Sequence, residues 1–284
     1  MQRDKIPVQP LLAVIGAILS VQIGASIAKE LFPALGAAVT ASLRIGLSAL
    51  MLLAVNRPDV RKLTRAQWKM VIPYGLCLGI MNIIFYLALS RIPLGIAVTL
   101  EFLGPLLLGI FSSKRWIEFL WVLLALAGIV LMAPWNNKHI DLPGAGLALL
   151  AGAFWAGYIL MGRRVTAVLD GRQAVTIGMW CAAAVALPFA FTTGGFLNFR
   201  SDMILPSLAL AFFCSALPFS LEIYALKHLP TKTFSILMSM EPGVAALCGL
   251  VFLKEYLSVQ EFVAVVLVII ASAGATVNSR QEIS

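Results

Sequence analysis

Apolar residues run along this chain in long stretches, and polar residues collect in short breaks between them. Ten apolar segments can be read, at about residues 10–28, 35–55, 70–89, 93–112, 117–134, 144–162, 173–192, 203–226, 231–251 and 258–277. Each is near the roughly 20 residues that a helix needs to cross a bilayer core about 30 Å thick. Pro10, Pro93, Pro134, Gly144 and Pro230, residues that punctuate helices, bound several of them. The pattern predicts an all-α membrane protein with ten transmembrane helices.

The ninth segment carries the sharpest signal. Pro230 opens it, and Glu241 follows with Pro242 directly behind. As a helix, the stretch from Pro230 puts Glu241 roughly 16 Å deep, near mid-bilayer. A charge there costs about 2.5–3.5 kcal/mol on insertion scales. Pro242 has no N–H to donate, and its ring would crowd the carbonyl of Met238. An ionisable group at that depth is read as a functional site.

The halves of the chain echo each other. Ala88-Leu89-Ser90-Arg91-Ile92-Pro93 matches Ala225-Leu226-Lys227-His228-Leu229-Pro230, and Pro105 and Pro242 each lie the same distance beyond. Glu118 and Glu255 follow at equal spacing again, and Gly16, Ser20 and Gly24 parallel Ala148, Gly152 and Ala156. Small residues at that spacing let membrane helices approach closely. The repeat predicts units at 1–138 and 139–284. Five spans per unit is odd, so the second unit is predicted to be inverted around a central cavity, with interrupted helices near the midplane. Spans four and nine correspond, each with a mid-depth proline. Pro105 should free the carbonyl of Glu101, itself a buried carboxylate; a packing kink is the plainer reading of both prolines.

Charge sets the orientation. With the N-terminus inside, fifteen Lys and Arg fall in inner loops and tails and five in outer ones. That bias predicts both termini in the cytoplasm. Arg3 and Lys5 ahead of the first segment resemble a leader peptide, but the apolar stretch is long for one and nine spans follow. The net charge of +8 does not point to nucleic acid, because the basic residues sit between apolar runs. With 61% hydrophobic and 12% charged residues, a soluble domain is excluded.

Chemistry is sparse. Cys77, Cys181, Cys214 and Cys248 lie within apolar runs and read as small buried hydrophobes, and His139 and His228 are far apart. No metal site, cofactor, phosphate loop or nucleophile elbow is predicted, so the chain does not read as an enzyme. The deep ionisable groups are Arg44, Glu101, Glu222 and Glu241. An acid in an apolar site is cheapest when neutral, and a nearby guanidinium favours its ionised form. That competition suits exchange of protons against a cationic amine. The plainer readings are a static Arg44–Glu pair and a Glu222 that reaches the headgroups; Lys29 and Arg163 read as snorkelling side chains. Asn82 and Tyr86, four apart, share a helix face, as do Trp155 and Tyr158. Tyr224, Gln22 and Ser26 add hydrogen-bonding capacity. Together these residues suit a small zwitterion.

Finally, the runs Ile92–Pro105, Ala216–Glu222, Leu229–Phe234 and Leu237–Pro242 resemble the EamA family of the drug/metabolite transporter superfamily. The resemblance implies two inverted five-helix units and proton-driven efflux of small amino acids, threonine and homoserine among them, across the bacterial inner membrane by alternating access. Other metabolites, such as aromatic or sulfur amino acids or a cationic drug, would share much of this pattern. A membrane scaffold or signalling protein is the alternative of another class. The oligomeric state is left open.

Overall fold

The computed structural model describes residues 8–111, 116–132, 141–229, 234 and 237–278. The sequence readings at Arg3, Lys5, Pro134, His139 and Pro230 lie outside them, as do the side chains of Glu118 and Arg163. Every regular element among the described residues is helical. Helix α1 spans Val8–Asn56, followed by α2 (Arg65–Leu89), α3 (Leu94–Phe111), α4 (Trp116–Met132), α5 (Leu142–Thr166) and α6 (Gly171–Thr192). Then come α7 (Ile204–Ala211), a π-helical turn (Phe212–Ala216), α8 (Leu217–His228), α9 (Glu241–Leu253) and α10 (Val259–Asn278). Four are long and apolar enough to cross a membrane: α1, α2, α5 and α6. Shorter apolar helices lie at Leu94–Leu108, Ser201–Ala216, Glu241–Leu253 and Val259–Gly274.

Helix starts follow local chemistry. Thr64 and Gln67 form a capping box ahead of α2, and Ser258 and Glu261 bond each other's backbone N–H ahead of α10. Asp141 and Asp170 accept from backbone N–H groups at the starts of α5 and α6.

The first two apolar segments share one helix. Its 49 residues would reach about 73 Å if straight, more than twice a bilayer core. It bends instead at Gly36, with φ 75° and ψ 160°. That conformation is essentially reserved for glycine. The break was expected near residues 29–34, yet the helix continues to the glycine. Asn198 donates to the carbonyl of Ala34 beside the bend, and the backbone of Gly195 abuts the carbonyl of Leu35.

Two ends of the bundle can be told apart by what ties them. At one, the Gly36 bend, the α2–α3 turn, the start of α5 and the α9–α10 connection meet: Lys29 bonds Ile92 O and Glu255, and Arg91 bonds Asp141. At the other, Gln67 bonds Val168 O, Asn56 bonds Thr176 and Tyr224 bonds Gln9. Between them α2 packs on α5 and α6, α3 on α5 and α9, α10 on α4, and α1 on α6, α7 and α8. The stripes of small residues lie at these contacts. A Cβ on Gly24 would collide with Cys214, and one on Gly152 with the carbonyl of Glu101.

The two mid-span prolines behave differently. Pro105 sits inside α3, which runs on without interruption. The carbonyl it leaves without its helical donor, Glu101 O, faces the backbone of Gly152 instead. Pro242 stands just past a break, since Leu237 and Met238 are helical. The chain turns at Ser239–Met240, α9 begins at Glu241, and Pro242 occupies its first turn, where the missing N–H costs nothing.

Candidate functional site

A cavity of about 190 Å³ lies at mid-length in the bundle. Its walls come from both arms of α1, from α2, α3, α5 and α6, from the π turn and α8, and from the Met238–Glu241 turn. Nine of the sequence-predicted residues line it: Gln22, Arg44, Asn82, Tyr86, Glu101, Trp155, Tyr158, Glu222 and Glu241. Glu101 and Glu241 are 7% and 9% exposed, so both carboxyls point inward. The structure does not bring Tyr224 to this wall. It lies two residues from Glu222, which turns it roughly 200° round the helix. Its hydroxyl donates to Gln9 and its ring stacks against His228.

Among the described residues, Arg44 is the one cation in the lining. Its Nη1 donates to Tyr86 Oη at 3.5 Å, its Nη2 to the carbonyl of Cys214 at 3.2 Å, and its guanidinium stands over the Tyr86 ring. The freed carbonyl has a cause in the sequence. Pro218 lacks the N–H that would close the helix onto Cys214 O, so that acceptor is open to Arg44. The ion pairs among the described residues are Lys29–Glu255, Asp59–Lys62, Arg91–Asp141 and Arg200–Asp202. Arg44 therefore has no carboxylate locked to it there, against the static-pair reading. Lys29 does not snorkel either, since Glu255 and Ile92 O hold it inside.

The carboxyls are supported by neutral groups. Gln22 Nε2 donates to Glu241 Oε1 at 3.3 Å. Asn82 Nδ2 donates to Leu78 O within its own helix. Tyr158 stacks on Tyr74 and accepts from its hydroxyl at 3.1 Å, while Trp155 meets Phe102 edge-on. The result is a small hollow with one guanidinium, three carboxyls and an aromatic wall.

Sequence reasoning underweighted the π turn. Cys214, Ser215 and Pro218 all line the cavity. Ser20 Oγ donates to Phe213 O at 2.7 Å, and Cys214 Sγ donates to Val21 O, so α1 is seated on this turn. Pro218 was the available signal: a proline inside an apolar span leaves an acceptor that something must satisfy. A larger groove of about 730 Å³ runs between α9 and α10. Its lining is apolar, and its carboxylate, Glu255, is already paired.

A bundle of apolar helices with ionisable groups turned into an interior hollow defines a membrane transporter rather than an enzyme. This chain belongs to the EamA-like transporter family, whose model matches residues 142–277. It is 43% identical over 281 residues to the threonine/homoserine exporter RhtA of Salmonella typhimurium (strain LT2) and of Escherichia coli (strain K12). Those alignments cover 98% of this chain and 95% of each relative. The uncharacterized transporter YwfM of Bacillus subtilis (strain 168) is 27% identical over 238 residues, covering 80% of this chain and 79% of that one. A solved crystal structure matches with a TM-score of 0.59 at 19% identity, over 98% of this chain and 99% of the other, a likeness of fold alone.

Proposed function

We propose that this protein exports threonine and homoserine from the bacterial cytoplasm by proton-coupled alternating access. The observation that carries the reading is the mid-bundle cavity, which gathers Arg44, Glu101, Glu222 and Glu241 in one lining. Arg44 would take the solute's carboxylate with the N–H groups that Tyr86 and Cys214 leave free. Glu241 and Glu101 would take the ammonium group and, when the site is empty, a proton. The volume is below the roughly 300–1,000 Å³ of drug-sized pockets, which favours a small zwitterion over a cationic drug. The relatives named as threonine/homoserine exporters support the choice of solute.

In this reading the membrane holds ten crossings: the two arms of α1, then α2 to α6, the α7–α8 rod, the Met238 turn with α9, and α10. Residues 1–138 and 139–284 form inverted units, both termini lie in the cytoplasm, and Pro105 and Pro242 mark the moving helices. The pairing of elements supports it: α1 packs on the α7–α8 rod as α5 packs on α2. The test is transport in liposomes with an imposed pH gradient. Threonine and homoserine should move against their gradients, and an uncoupler should stop them. Movement of aromatic or sulfur amino acids instead would replace the solute, and movement of no amino acid would overturn the reading.

A further inference from the structure

Five buried side-chain polar atoms among the described residues have no hydrogen-bond partner: Gln22 Oε1, Trp121 Nε1, Ser207 Oγ, Ser215 Oγ and Glu241 Oε2. Three of them, on Gln22, Ser215 and Glu241, belong to residues that line the mid-bundle cavity. Gln22 and Ser215 are each only 1% exposed. Burying a polar group without a partner is costly, and such sites are retained where a ligand supplies the partner. Three of the five unpartnered atoms thus belong to residues of the proposed solute site.

Gln22 and Ser215 come from two elements packed against each other. Gln22 is on the first arm of α1, and Ser215 is on the π turn seated against it. Their immediate neighbours touch, since Cys214 Sγ donates to Val21 O at 3.6 Å and Gly24 lies against Cys214. The π turn itself is an insertion of the kind that re-aims side chains at functional sites. Gln22 is oriented by its own amide: Nε2 donates to Glu241 Oε1, which leaves Oε1 as a bare acceptor. Ser215 Oγ can donate and accept. A bare acceptor and a hydroxyl in the same lining match a solute O–H, which donates one hydrogen bond and accepts another.

We infer that Gln22 and Ser215 form a subsite for the side-chain hydroxyl of the solute, and so select hydroxy amino acids over their deoxy analogues. The inference rests on the proposed export of threonine and homoserine. A pocket built to bond a hydroxyl rejects an analogue without one, because the pocket's buried polar groups are then left bare. Valine replaces the threonine hydroxyl with a methyl group of similar size, and 2-aminobutyrate is homoserine without its oxygen. Each pair differs only at the atom in question.

The experiment measures kcat/KM for threonine, valine, homoserine and 2-aminobutyrate in proteoliposomes. It uses the unaltered protein, Ser215→Ala and Gln22→Met. The unaltered protein should prefer each hydroxylated solute by about tenfold or more. In each variant that ratio should fall to within about threefold, with threonine losing more than valine. A role in packing alone would slow both solutes alike and leave the ratio standing, which would overturn the inference while leaving the exporter reading intact. An unaltered protein that carries neither threonine nor homoserine overturns both. For a variant too slow to assay, the rise in melting temperature with added threonine or valine in detergent compares its affinities for the two. Retained preference for threonine there likewise overturns the inference.

Discussion

Arg44 shows how one side chain is held in the interior without a carboxylate bonded to it. Its two terminal nitrogens reach different elements, Tyr86 on α2 and the Cys214 carbonyl on the π turn. A lysine presents a point charge on a flexible stem and cannot hold both while also gripping a carboxylate. Arg44→Lys is therefore expected to insert normally and to lose about tenfold or more in kcat/KM for threonine, seen as a raised KM. Glu241→Gln keeps the size of the side chain and removes its charge and its proton. Export by this variant should collapse or lose its dependence on the pH gradient while membrane yield is kept; pH-dependent efflux at the normal rate would remove Glu241 from the coupling role. The depth of Glu101 and Glu241 was legible because a charge in a long apolar run has few places to go. The helical spacings of Asn82 and Tyr86, and of Trp155 and Tyr158, likewise put the right faces together. Tyr224 shows the limit: nearness in sequence to Glu222 says nothing of facing, and two residues on a helix point nearly opposite ways.

Among the elements, the bend of α1 and the start of α9 had local causes that a hydropathy pattern hides. Nothing lies within 4 Å of where a Cβ on Gly36 would be, so a methyl group fits there. The backbone conformation does not tolerate it. Gly36→Ala should cost about 1–3 kcal/mol and lower the melting temperature in detergent, although no contact is crowded. Pro242→Ala should be mild, within about 1 kcal/mol, because the proline occupies a first helical turn. A large loss of stability or turnover in Pro242→Ala would show that its ring acts beyond starting the helix. Asp141, ahead of α5, combines cap and charge. The Arg91 guanidinium, followed by the Gly144 N–H, holds its carboxyl below the usual range. A depressed value in the folded protein means that the stabilisation is full above the ordinary value of about 3.9 and fades as pH falls through the folded one. Asp141→Asn should keep the cap, lose the charge stabilisation at neutral pH and flatten that acid slope, while Asp141→Ala should lose the cap too and be less stable still at neutral pH. Melting curves from neutral to acid pH separate the two. The capping chemistry of α2, α5, α6 and α10 was written in the sequence; the π turn was not, because its register depends on what α1 and Arg44 offer to the carbonyls left by Pro218.

For the molecule as a whole, the all-helical class and the gathering of deep polar groups followed from the apolar pattern, while the closure of one end did not. Lys29 and Glu255 are 226 residues apart and were read separately, one as a snorkelling cation and one as a repeat marker. They meet at the end of the bundle where Leu35, Leu89, Ile92 and Leu94 are packed out of reach of solvent. Glu255 also accepts from the backbone N–H of Leu94 at 2.7 Å, and Lys29 donates to Ile92 O at 2.9 Å. One ion pair thereby joins α1, the α2–α3 turn, the head of α3 and the α9–α10 connection. Both side chains are mostly buried, 15% and 19% exposed, so removing one strands the other. Glu255→Gln should keep the bond from Leu94 and weaken the tie to Lys29, whereas Glu255→Ala loses both. Melting in detergent should therefore fall in the order unaltered, Glu255→Gln, Glu255→Ala. Pairing Lys29→Met with Glu255→Gln should recover part of the loss, with a coupling of about 1–3 kcal/mol in a double-mutant cycle. In alternating access this end must open once per cycle, so a weakened tie should also shift the resting state. A cysteine placed at Ile92 in a cysteine-free background should react faster with a membrane-impermeant thiol reagent once Glu255 is glutamine. Equal reaction rates with and without Glu255 would mean that the apolar packing alone holds this end shut.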